Sequence, residues 1–334
     1  MMLFILLLVV FVGIALFYFR IADHFDIIDK PNERSSHTQL TIRGGGILFP
    51  IAWIIYSFTH GFLLPWATIG LLAIAIVSFA DDRMALSNRL RFAVHLFAFT
   101  CCFIELNLFY VLPWWVIPIV YIIGIGCVNA VNFMDGINGM TGLYSLSVLL
   151  PAQWALFGTV WNGSLLNYVM VALVVFGFFN FRKKARCFAG DVGSVSMGYM
   201  LVFLLLGFIF TRFNEEQSGT LLRISQGTDF KVAIHYLLLL SLYGVDAILT
   251  LVQRLYLKEN IFEAHRRHFY QLLCNEYGLG HVVVSACYAV IQFAINIYVF
   301  EHGATGVTMF LFLLSFSLVY AFTKNFLLKK HVTS

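Results

Sequence analysis

Residues 182–211, RKKARCFAGDVGSVSMGYMLVFLLLGFIFT, place a basic cluster, a glycine-flanked aspartate and a long apolar run in direct succession. An apolar run of about 17–25 residues is long enough for an α-helix to cross the hydrocarbon core of a bilayer. Lysine and arginine concentrate at the cytoplasmic ends of membrane helices. The stretch therefore predicts a membrane helix whose N-terminal end carries polar groups at the cytoplasmic face.

The composition of the whole chain extends this prediction to a protein that crosses the membrane many times. Of its 334 residues, 60% are hydrophobic and 11% are charged, whereas soluble domains carry about 25% charged residues. The apolar residues form continuous runs and do not alternate with polar ones, which favours helices over a transmembrane barrel. We therefore predict an all-α, polytopic integral membrane protein.

The apolar stretches predict about eleven membrane spans. They cover residues 2–19, 45–60, 65–80, 91–106, 111–128, 139–157, 164–181, 193–211, 232–253, 281–300 and 304–324. The gaps between them are too short for a second folded domain, so residues 1–334 are expected to form a single transmembrane domain. The first stretch has no basic leader and no small-residue cleavage site, so it is expected to be a span and not a signal peptide.

The lysines and arginines orient these spans. All but three of the 21 lie in every second gap, which is the pattern of cytoplasmic loops. The three exceptions are Arg212, Arg223 and Lys231, in a segment expected to face the exterior. An odd number of spans then puts the N-terminus outside and the basic C-terminal tail in the cytoplasm. The net charge of +4 faces lipid headgroups or nucleotide phosphates and gives no reason to expect a nucleic-acid partner.

Two adjacent carboxylates, Asp81 and Asp82, end the third predicted span. Carboxylates this close repel each other and need a cation or a basic partner. One interpretation is a solvated pair that caps the next helix or balances nearby arginines. The other is a functional pair at the membrane boundary that holds or deprotonates a phosphate-bearing acceptor near Mg²⁺.

The run NAVNFMDGING follows the fifth predicted span. Its Asn129, Asn132, Asp135 and Asn138 recur every three residues, so on a helical or 3₁₀ backbone they would share one face. Amide oxygens and a carboxylate suit a hard cation or the edge of a nucleobase. The alternative is a turn between two spans, since asparagine and glycine form turns readily.

Two further cytoplasmic motifs have chemistry suited to phosphates. Asp191, in Gly-Asp-Val-Gly-Ser at a helix start, fits a Mg²⁺ ligand beside a pyrophosphate and equally fits a simple helix cap. His265 and His268 lie three apart on a predicted helix face and enclose Arg266 and Arg267. That gap offers no further zinc ligand, so the motif favours a phosphate clamp.

Asp246 is a carboxylate inside the ninth predicted span. Such residues are usually functional, and we expect it to face the interior of the protein and to pair with a base from the cytoplasmic face. In the first gap, Arg43 precedes three consecutive glycines. Three glycines at a helix start predict the close approach of a ligand or of another backbone.

Taken in order, PNERSSHTQLTIRGGG, DDR with LSNRLR, NAVNFMDGING, GDVGS and HRRH resemble the polyprenyl-phosphate N-acetylhexosamine-1-phosphate transferases. That family includes phospho-N-acetylmuramoyl-pentapeptide transferase and the transferases that start O-antigen, enterobacterial common antigen and teichoic acid synthesis. The resemblance covers residues from about 29 to about 270, and every motif lies on the predicted cytoplasmic side.

The resemblance implies a reaction. An oxygen of a polyprenyl (undecaprenyl) phosphate attacks the β-phosphorus of a UDP-N-acetylhexosamine, which releases UMP and forms a lipid-pyrophosphate sugar. It also implies a Mg²⁺ cofactor, with Mn²⁺ as a substitute, and a site on the cytoplasmic face of the bacterial inner membrane. A homodimer is a further expectation.

The resemblance also assigns roles to individual residues. The implied metal ligands are Asp191 and Asn132. The implied catalytic residues are Asp81, Asp82, Asp191, His265 and His268. The implied substrate-binding residues are Arg43, Arg91, Asn129, Asp135, Gly136, Asn138, Arg266 and Arg267.

Two departures from the peptidoglycan enzyme narrow the resemblance. That enzyme carries a triple-histidine loop where this chain reads HRRH, and the first loop with RSSH and RGGG is closer to the surface-polysaccharide branch. The donor sugar stays open among GlcNAc, GalNAc and 6-deoxy aminosugars. The competing interpretation is a transporter that uses Asp246 and the Asp81-Asp82 pair as an ion or proton pathway. A transporter would place polar groups near the midplane of the membrane, whereas here nearly all of them lie at one face.

The predicted orientation can be tested with reporter fusions. A reporter that is active only outside the membrane should be active when fused at residue 215 and silent at residue 265, because the two positions lie in gaps of opposite charge bias. Equal activity at both positions would contradict the topology.

Overall fold

The computed structural model describes residues 2–29, 40–84, 86–156, 164–210, 234–260 and 265–333. Thirteen α-helices in these residues confirm the all-α fold. They are α1 (Met2–His24), α2 (Leu48–Thr59), α3 (Pro65–Arg83), α4 (Asn88–Glu105), α5 (Leu108–Val111), α6 (Ile117–Phe133), α7 (Met140–Ala155), α8 (Ser164–Asn180), α9 (Gly190–Phe210), α10 (Ser241–Tyr256), α11 (Phe269–Asn275), α12 (His281–His302) and α13 (Gly306–Thr333). Two strands of two residues each, β1 (Ile28–Asp29) and β2 (Thr41–Ile42), pair antiparallel.

Six helical stretches in the described residues are long and apolar enough to cross a membrane. They are Met2–His24, Pro65–Arg83, Gly190–Phe210, His235–Tyr256, His281–His302 and Gly306–Lys324. Three shorter apolar helices accompany them, Gly45–Thr59, Ile117–Phe133 and Ser164–Asn180. Every predicted span overlaps a helix, which confirms a multi-pass membrane protein, while the count of eleven spans stays a prediction. The predicted exterior gap 212–231 and residues 30–39 of the first gap lie outside the described residues.

Helix α9 is the centre of the bundle, with its apolar run buried along its whole length. Helices α2, α3 and α6 pack around it. Small residues allow this close packing, as is common between membrane helices. A Cβ atom at Gly198 would lie 3.1 Å from the Cα of Val128 in α6, and one at Gly70 of α3 would lie 2.6 Å from the hydroxyl of Tyr199.

Backbone hydrogen bonds join the loop between α1 and α2 to the segment that precedes α9. The Phe188 N–H donates to the Ile42 carbonyl at 2.8 Å, and the Gly45 N–H donates to the Phe188 carbonyl at 2.8 Å. A Cβ atom at Gly46 would lie 2.4 Å from the Cα of Gly193. The glycines are therefore needed because another backbone approaches closely, which was one of the two alternatives that the sequence left open.

A 3₁₀ helix, Ile234–Leu240, leads directly into α10. A polar side chain of α12 forms hydrogen bonds with backbone groups at this junction. Gln292 donates to the Leu238 carbonyl at 2.9 Å and accepts from the Leu242 N–H at 3.0 Å. Inside a membrane every backbone group needs an internal partner, so these contacts allow an irregular turn between two regular helices.

A proline inside α7 leaves another backbone group that needs a side-chain partner. Pro151 has no N–H, so the carbonyl four residues earlier, that of Ser147, loses its helical donor. Asn296 of α12 replaces it, because its side-chain N–H₂ donates to the Ser147 carbonyl at 3.1 Å. The helices α7 and α12 are thus joined at a position that the proline determines.

We expect Asn296→Leu to lower the free energy of unfolding in detergent by about 1–3 kcal/mol, because it leaves buried carbonyls without a donor. The loss should be smaller in a Pro151→Ala background, where the Ser147 carbonyl recovers a backbone donor. Thermal unfolding of the four proteins measures this coupling. An equal loss in both backgrounds would contradict the assigned role of Asn296.

Candidate active site

The GDVGS motif forms the first turn of α9, and Asp82 caps that turn from the end of α3. One carboxylate oxygen of Asp82 accepts from the Asp191 N–H at 2.8 Å, and the other accepts from the Val192 N–H at 3.0 Å. These two N–H groups would otherwise have no helical partner. The Asp82 side chain is fully buried, so its carboxylate fixes the start of the central helix.

Arg43 joins the first loop to the same turn. Its Nε lies 2.7 Å from an Asp82 oxygen, and its terminal nitrogen lies 3.6 Å from an Asp191 oxygen. The Tyr18 hydroxyl donates to the Arg43 carbonyl at 2.7 Å, which holds the backbone that carries the guanidinium. Arg43 therefore lies between the two carboxylates and offsets part of their charge.

Asp81 points to different partners from its neighbour. One of its oxygens accepts from the Leu86 N–H at 2.8 Å, and the other lies 3.1 Å from a terminal nitrogen of Arg91 in α4. A small cavity lies here, lined by Asp81, Arg91, His95 and Asp191 among others. Asp81 and Arg91 thus line the same small cavity as Asp191.

The NAVNFMDGING run approaches α9 from the end of α6. The Asn132 side-chain oxygen accepts from the Ser194 hydroxyl at 2.8 Å, which places this amide beside the first turn of α9. Asn129 lies one turn earlier in α6 and is half-buried. Because α6 ends at Phe133, Asp135 lies in the following loop and is not part of the helical face that the three-residue spacing predicted.

The loop after α6 is held by its own polar residues. The side-chain amide of Asn138 donates to the Arg182 carbonyl at 2.8 Å. The main-chain carbonyl of Asn138 accepts from the Ser285 hydroxyl at 2.9 Å. These contacts bind the loop to its neighbours. The structure therefore gives Asn138 a fixed place in the loop and uses its amide for an internal hydrogen bond.

Asp135 is the carboxylate of this loop, and the Thr141 hydroxyl donates to it at 2.5 Å. Burial raises the pKa of Asp135 to about 7, and the negative charges of Asp191 and Asp82 act in the same direction. The Thr141 hydrogen bond and the Arg43 charge oppose this rise. Asp135 thus belongs to the same electrostatic cluster as the start of α9.

The HRRH motif forms a loop just before α11, which begins at Phe269. The prediction that His265 and His268 share a helix face was wrong, although their rings still lie 4.9 Å apart. Burial lowers the pKa of His265 to about 4, and the positive charges of His268 and Arg254 add to the effect. His265 is therefore a neutral imidazole at physiological pH.

Arg267 of this loop already has a carboxylate partner. Glu259 forms a bidentate pair with Arg267, in which Nε donates to one carboxylate oxygen at 3.0 Å and a terminal nitrogen contacts the other. The Arg254 Nε lies 3.4 Å from the same carboxylate. Arg266 is exposed and has an interaction of its own within the protein. A phosphate that binds Arg267 has to compete with Glu259.

Tyr270 connects the HRRH loop to the loop after α6. Its hydroxyl donates to the Phe133 carbonyl at 3.0 Å, and a Cβ atom at Gly136 would lie 2.2 Å from that hydroxyl oxygen. Gly136 is therefore required for the contact between the two loops. Tyr270 and Glu259 were not predicted, although Tyr270 follows the HRRH motif closely, and Ser194 was given no role although it ends the GDVGS motif.

The cluster around the start of α9 has the charge and the donor atoms that Mg²⁺ requires. Among the residues that the structure describes, electrostatic interactions link four carboxylates and two guanidinium groups, those of Asp81, Asp82, Asp135, Asp191, Arg43 and Arg91. The described residues hold no group of three His, Cys, Asp or Glu side chains arranged for a metal ion. Mg²⁺ commonly takes only one or two carboxylates and completes its shell with water and substrate phosphates. Asp191, with the nearby amide of Asn132, fits that mode.

The chain is similar to one described family and to several known transferases. Residues 64–209 match the family described as glycosyl transferase family 4. The chain is 27% identical over 283 residues to the probable undecaprenyl-phosphate N-acetylglucosaminyl 1-phosphate transferase of Bacillus subtilis (strain 168), covering 78% of this chain and 73% of that protein. It is 24% identical over 297 residues to the undecaprenyl-phosphate alpha-N-acetylglucosaminyl 1-phosphate transferase of Escherichia coli (strain K12), covering 80% of this chain and 75% of that one.

A third relative comes from the peptidoglycan branch. The phospho-N-acetylmuramoyl-pentapeptide-transferase of Streptococcus uberis is 31% identical over 146 residues, which cover 40% of each chain. These matches confirm the resemblance to the polyprenyl-phosphate N-acetylhexosamine-1-phosphate transferases that the sequence motifs indicate, and the six candidate membrane spans agree with a membrane protein.

The two neighbouring aspartates should differ in their effect on stability. We expect Asp82→Ala to lower the free energy of unfolding by at least about 0.5–2 kcal/mol, the usual cost of losing a helix cap, because it also leaves Arg43 without its closest partner. Asp81→Ala is the matched control and should cost less, since it releases one loop N–H and Arg91, whose side chain is partly exposed. Thermal unfolding in detergent compares them, and a larger loss in Asp81→Ala would contradict the capping role of Asp82.

Proposed function

We propose that this protein transfers a HexNAc-1-phosphate group from a UDP-N-acetylhexosamine to undecaprenyl phosphate and releases UMP. The reaction would take place at the cytoplasmic face of the bacterial inner membrane and would start a surface glycan such as O-antigen or capsule. The observation that carries the proposal is the convergence of Asp81, Asp82, Asp135, Asp191 and two arginines at the start of one buried membrane helix. The relatives with the longest matches above are named for the same type of transfer to undecaprenyl phosphate.

The reaction brings two anionic substrates together. An oxygen of the lipid phosphate attacks the β-phosphorus, the bond from that phosphorus to the bridging oxygen breaks, and UMP leaves with the bridging oxygen. The second pKa of a phosphate monoester is about 6, so the attacking oxygen already carries its charge at neutral pH. No carboxylate has to remove a proton first.

The contacts of Asp81 and Asp82 agree with a role other than proton removal. The Asp82 carboxylate is occupied by two N–H groups and Arg43, and the Asp81 carboxylate is occupied by Leu86 and Arg91. We infer that they organise the charges of the site, and that Arg91, about a third exposed, binds the lipid phosphate. This arrangement stabilises a charged transition state through groups that are already in place.

The donor would bind between the loop after α6 and the HRRH loop. Asn129, Asp135 and Gly136 lie on the side proposed for the nucleoside, and Arg266 and Arg267 lie on the side proposed for the diphosphate. When bound, Mg²⁺ at Asp191 and Asn132 would neutralise the diphosphate and the leaving UMP. The HRRH loop and the names of the two long relatives support N-acetylhexosamine donors without a peptide, with UDP-GlcNAc the first to test.

Transport is not favoured as an alternative. Asp246 contacts a histidine, two tyrosines and a threonine inside the protein, and Asp81 and Asp82 are engaged at one end of the bundle. A pathway across the membrane would need such groups to be accessible to an ion.

The proposal predicts UMP release when purified protein is incubated with undecaprenyl phosphate, UDP-GlcNAc and Mg²⁺. Release should stop in EDTA, return with Mg²⁺ or Mn²⁺, and fall by a factor of about 100 or more in Asp191→Asn, because that variant loses a charged metal ligand. Parallel assays with UDP-GalNAc and 6-deoxy aminosugar donors identify the sugar.

Thermal unfolding with and without Mg²⁺ is the control for folding. Mg²⁺ should stabilise the wild-type protein and have a smaller effect on Asp191→Asn. Full activity in EDTA, or wild-type activity in Asp191→Asn, would remove Asp191 and its metal from the mechanism.

A further inference from the structure

Asp246 lies in α10 with only 1% of its surface exposed, and donors surround its carboxylate. One oxygen lies 3.2 Å from Nδ1 of His268 and accepts from the Phe269 N–H at 3.1 Å. The other accepts from the Tyr288 hydroxyl at 2.7 Å. A buried carboxylate with this many partners is a fixed acceptor and not a free base.

Lys324 of α13 sets the direction of the remaining hydrogen bonds. Its ammonium donates to the Tyr320 hydroxyl oxygen at 2.9 Å and to that of Thr250 at 3.4 Å. An ammonium only donates, so both hydroxyl oxygens accept from it. Their hydrogens are then left for Asp246, at 3.1 Å and 3.2 Å, or for the contact of 3.0 Å between the two hydroxyls. Because an ionised carboxylate only accepts, His268 must carry its proton on Nδ1.

The other nitrogen of His268 has no partner. Nε2 is buried and makes no hydrogen bond within the part of the chain that the structure describes, and the ring stacks on Tyr270 with their centroids 5.8 Å apart. Tyr270 in turn reaches the Phe133 carbonyl at the end of α6. His268 thus stands between the buried Asp246 and the loop that carries Asp135, with one polar atom unused.

We propose that Asp246 is a positioning residue, which holds Nδ1 of His268 so that Nε2 donates a hydrogen bond to the diphosphate of the bound donor. This inference rests on the proposed function. In the imidazolium form both ring nitrogens carry hydrogen, and the Asp246 carboxylate offsets the charge. The hydrogen bond from Nε2 strengthens as the bond to the bridging oxygen breaks and negative charge grows on the leaving phosphate. No proton is transferred in this step.

The test measures kcat and KM for UMP release with UDP-GlcNAc or the donor that proves best. Asp246→Asn keeps the size of the side chain and removes its charge, and it should lower kcat by about 10–100-fold with KM for the donor within about twofold. The double variant Asp246→Asn with His268→Ala should be no slower than His268→Ala alone, because Asp246 acts through His268.

A pair of histidine substitutions separates the two ring nitrogens. His268→Asn reproduces the group that faces Asp246 and lacks the distal donor, whereas His268→Gln places an amide N–H₂ near the position of Nε2. We expect His268→Gln to retain at least about tenfold more activity than His268→Asn. This comparison stands even if Asp246→Asn fails to fold.

Tyr288→Phe is the matched control, since it removes a different hydrogen bond from the same carboxylate. Its kcat should stay within about threefold of the wild type. Additive losses in the double variant, equal activities of His268→Gln and His268→Asn, or a loss in Tyr288→Phe equal to that in Asp246→Asn would each overturn the inference. If the wild-type protein releases no UMP with any donor, the proposed function fails instead.

Discussion

The hydrogen bonds from the first turn of α9 to the Asp82 carboxylate are the contact on which the candidate site depends. Helix α9 is buried along its apolar run, so its first N–H groups cannot be left without partners. Asp82 provides both acceptor oxygens and attracts Arg43 to the same place. The position of Asp191 follows from this cap, because its own N–H is one of the two that Asp82 holds.

Two further groups of contacts build on that position. Arg91 approaches from α4 and pairs with Asp81 at the end of α3, and Asn132 approaches from α6 through Ser194. The HRRH loop joins through Tyr270, which lies across Gly136. Each of these contacts comes from a helix end or a loop at the same face of the bundle. The site is thus formed mainly by helix ends, with the HRRH loop on one side of it.

The sequence predicted the helical membrane fold because apolar length and basic bias are properties of composition. It also brought the GDVGS, DDR and NAVNFMDGING motifs to one face, because each stands in a gap of the same charge bias. It could not tell the roles of Asp81 and Asp82 apart. Only the tertiary fold shows that Asp82 meets the start of α9, which lies 109 residues further along the chain. The end of α6 at Phe133 and the capture of Arg267 by Glu259 likewise depend on tertiary contacts.

Lys324 has a consequence for how the protein is made. Little of helix α13 is buried between Gly306 and Thr323, whereas Lys324 is buried among Tyr320, Thr250 and the Arg267 carbonyl. Because a ribosome synthesises the chain from its N-terminus, Asp246 enters the bilayer many residues before the ammonium group that orders its neighbours. The nascent protein must therefore hold an incomplete charge cluster in the membrane until α13 is inserted. The maturation of the histidine loop is thereby coupled to late steps of membrane insertion.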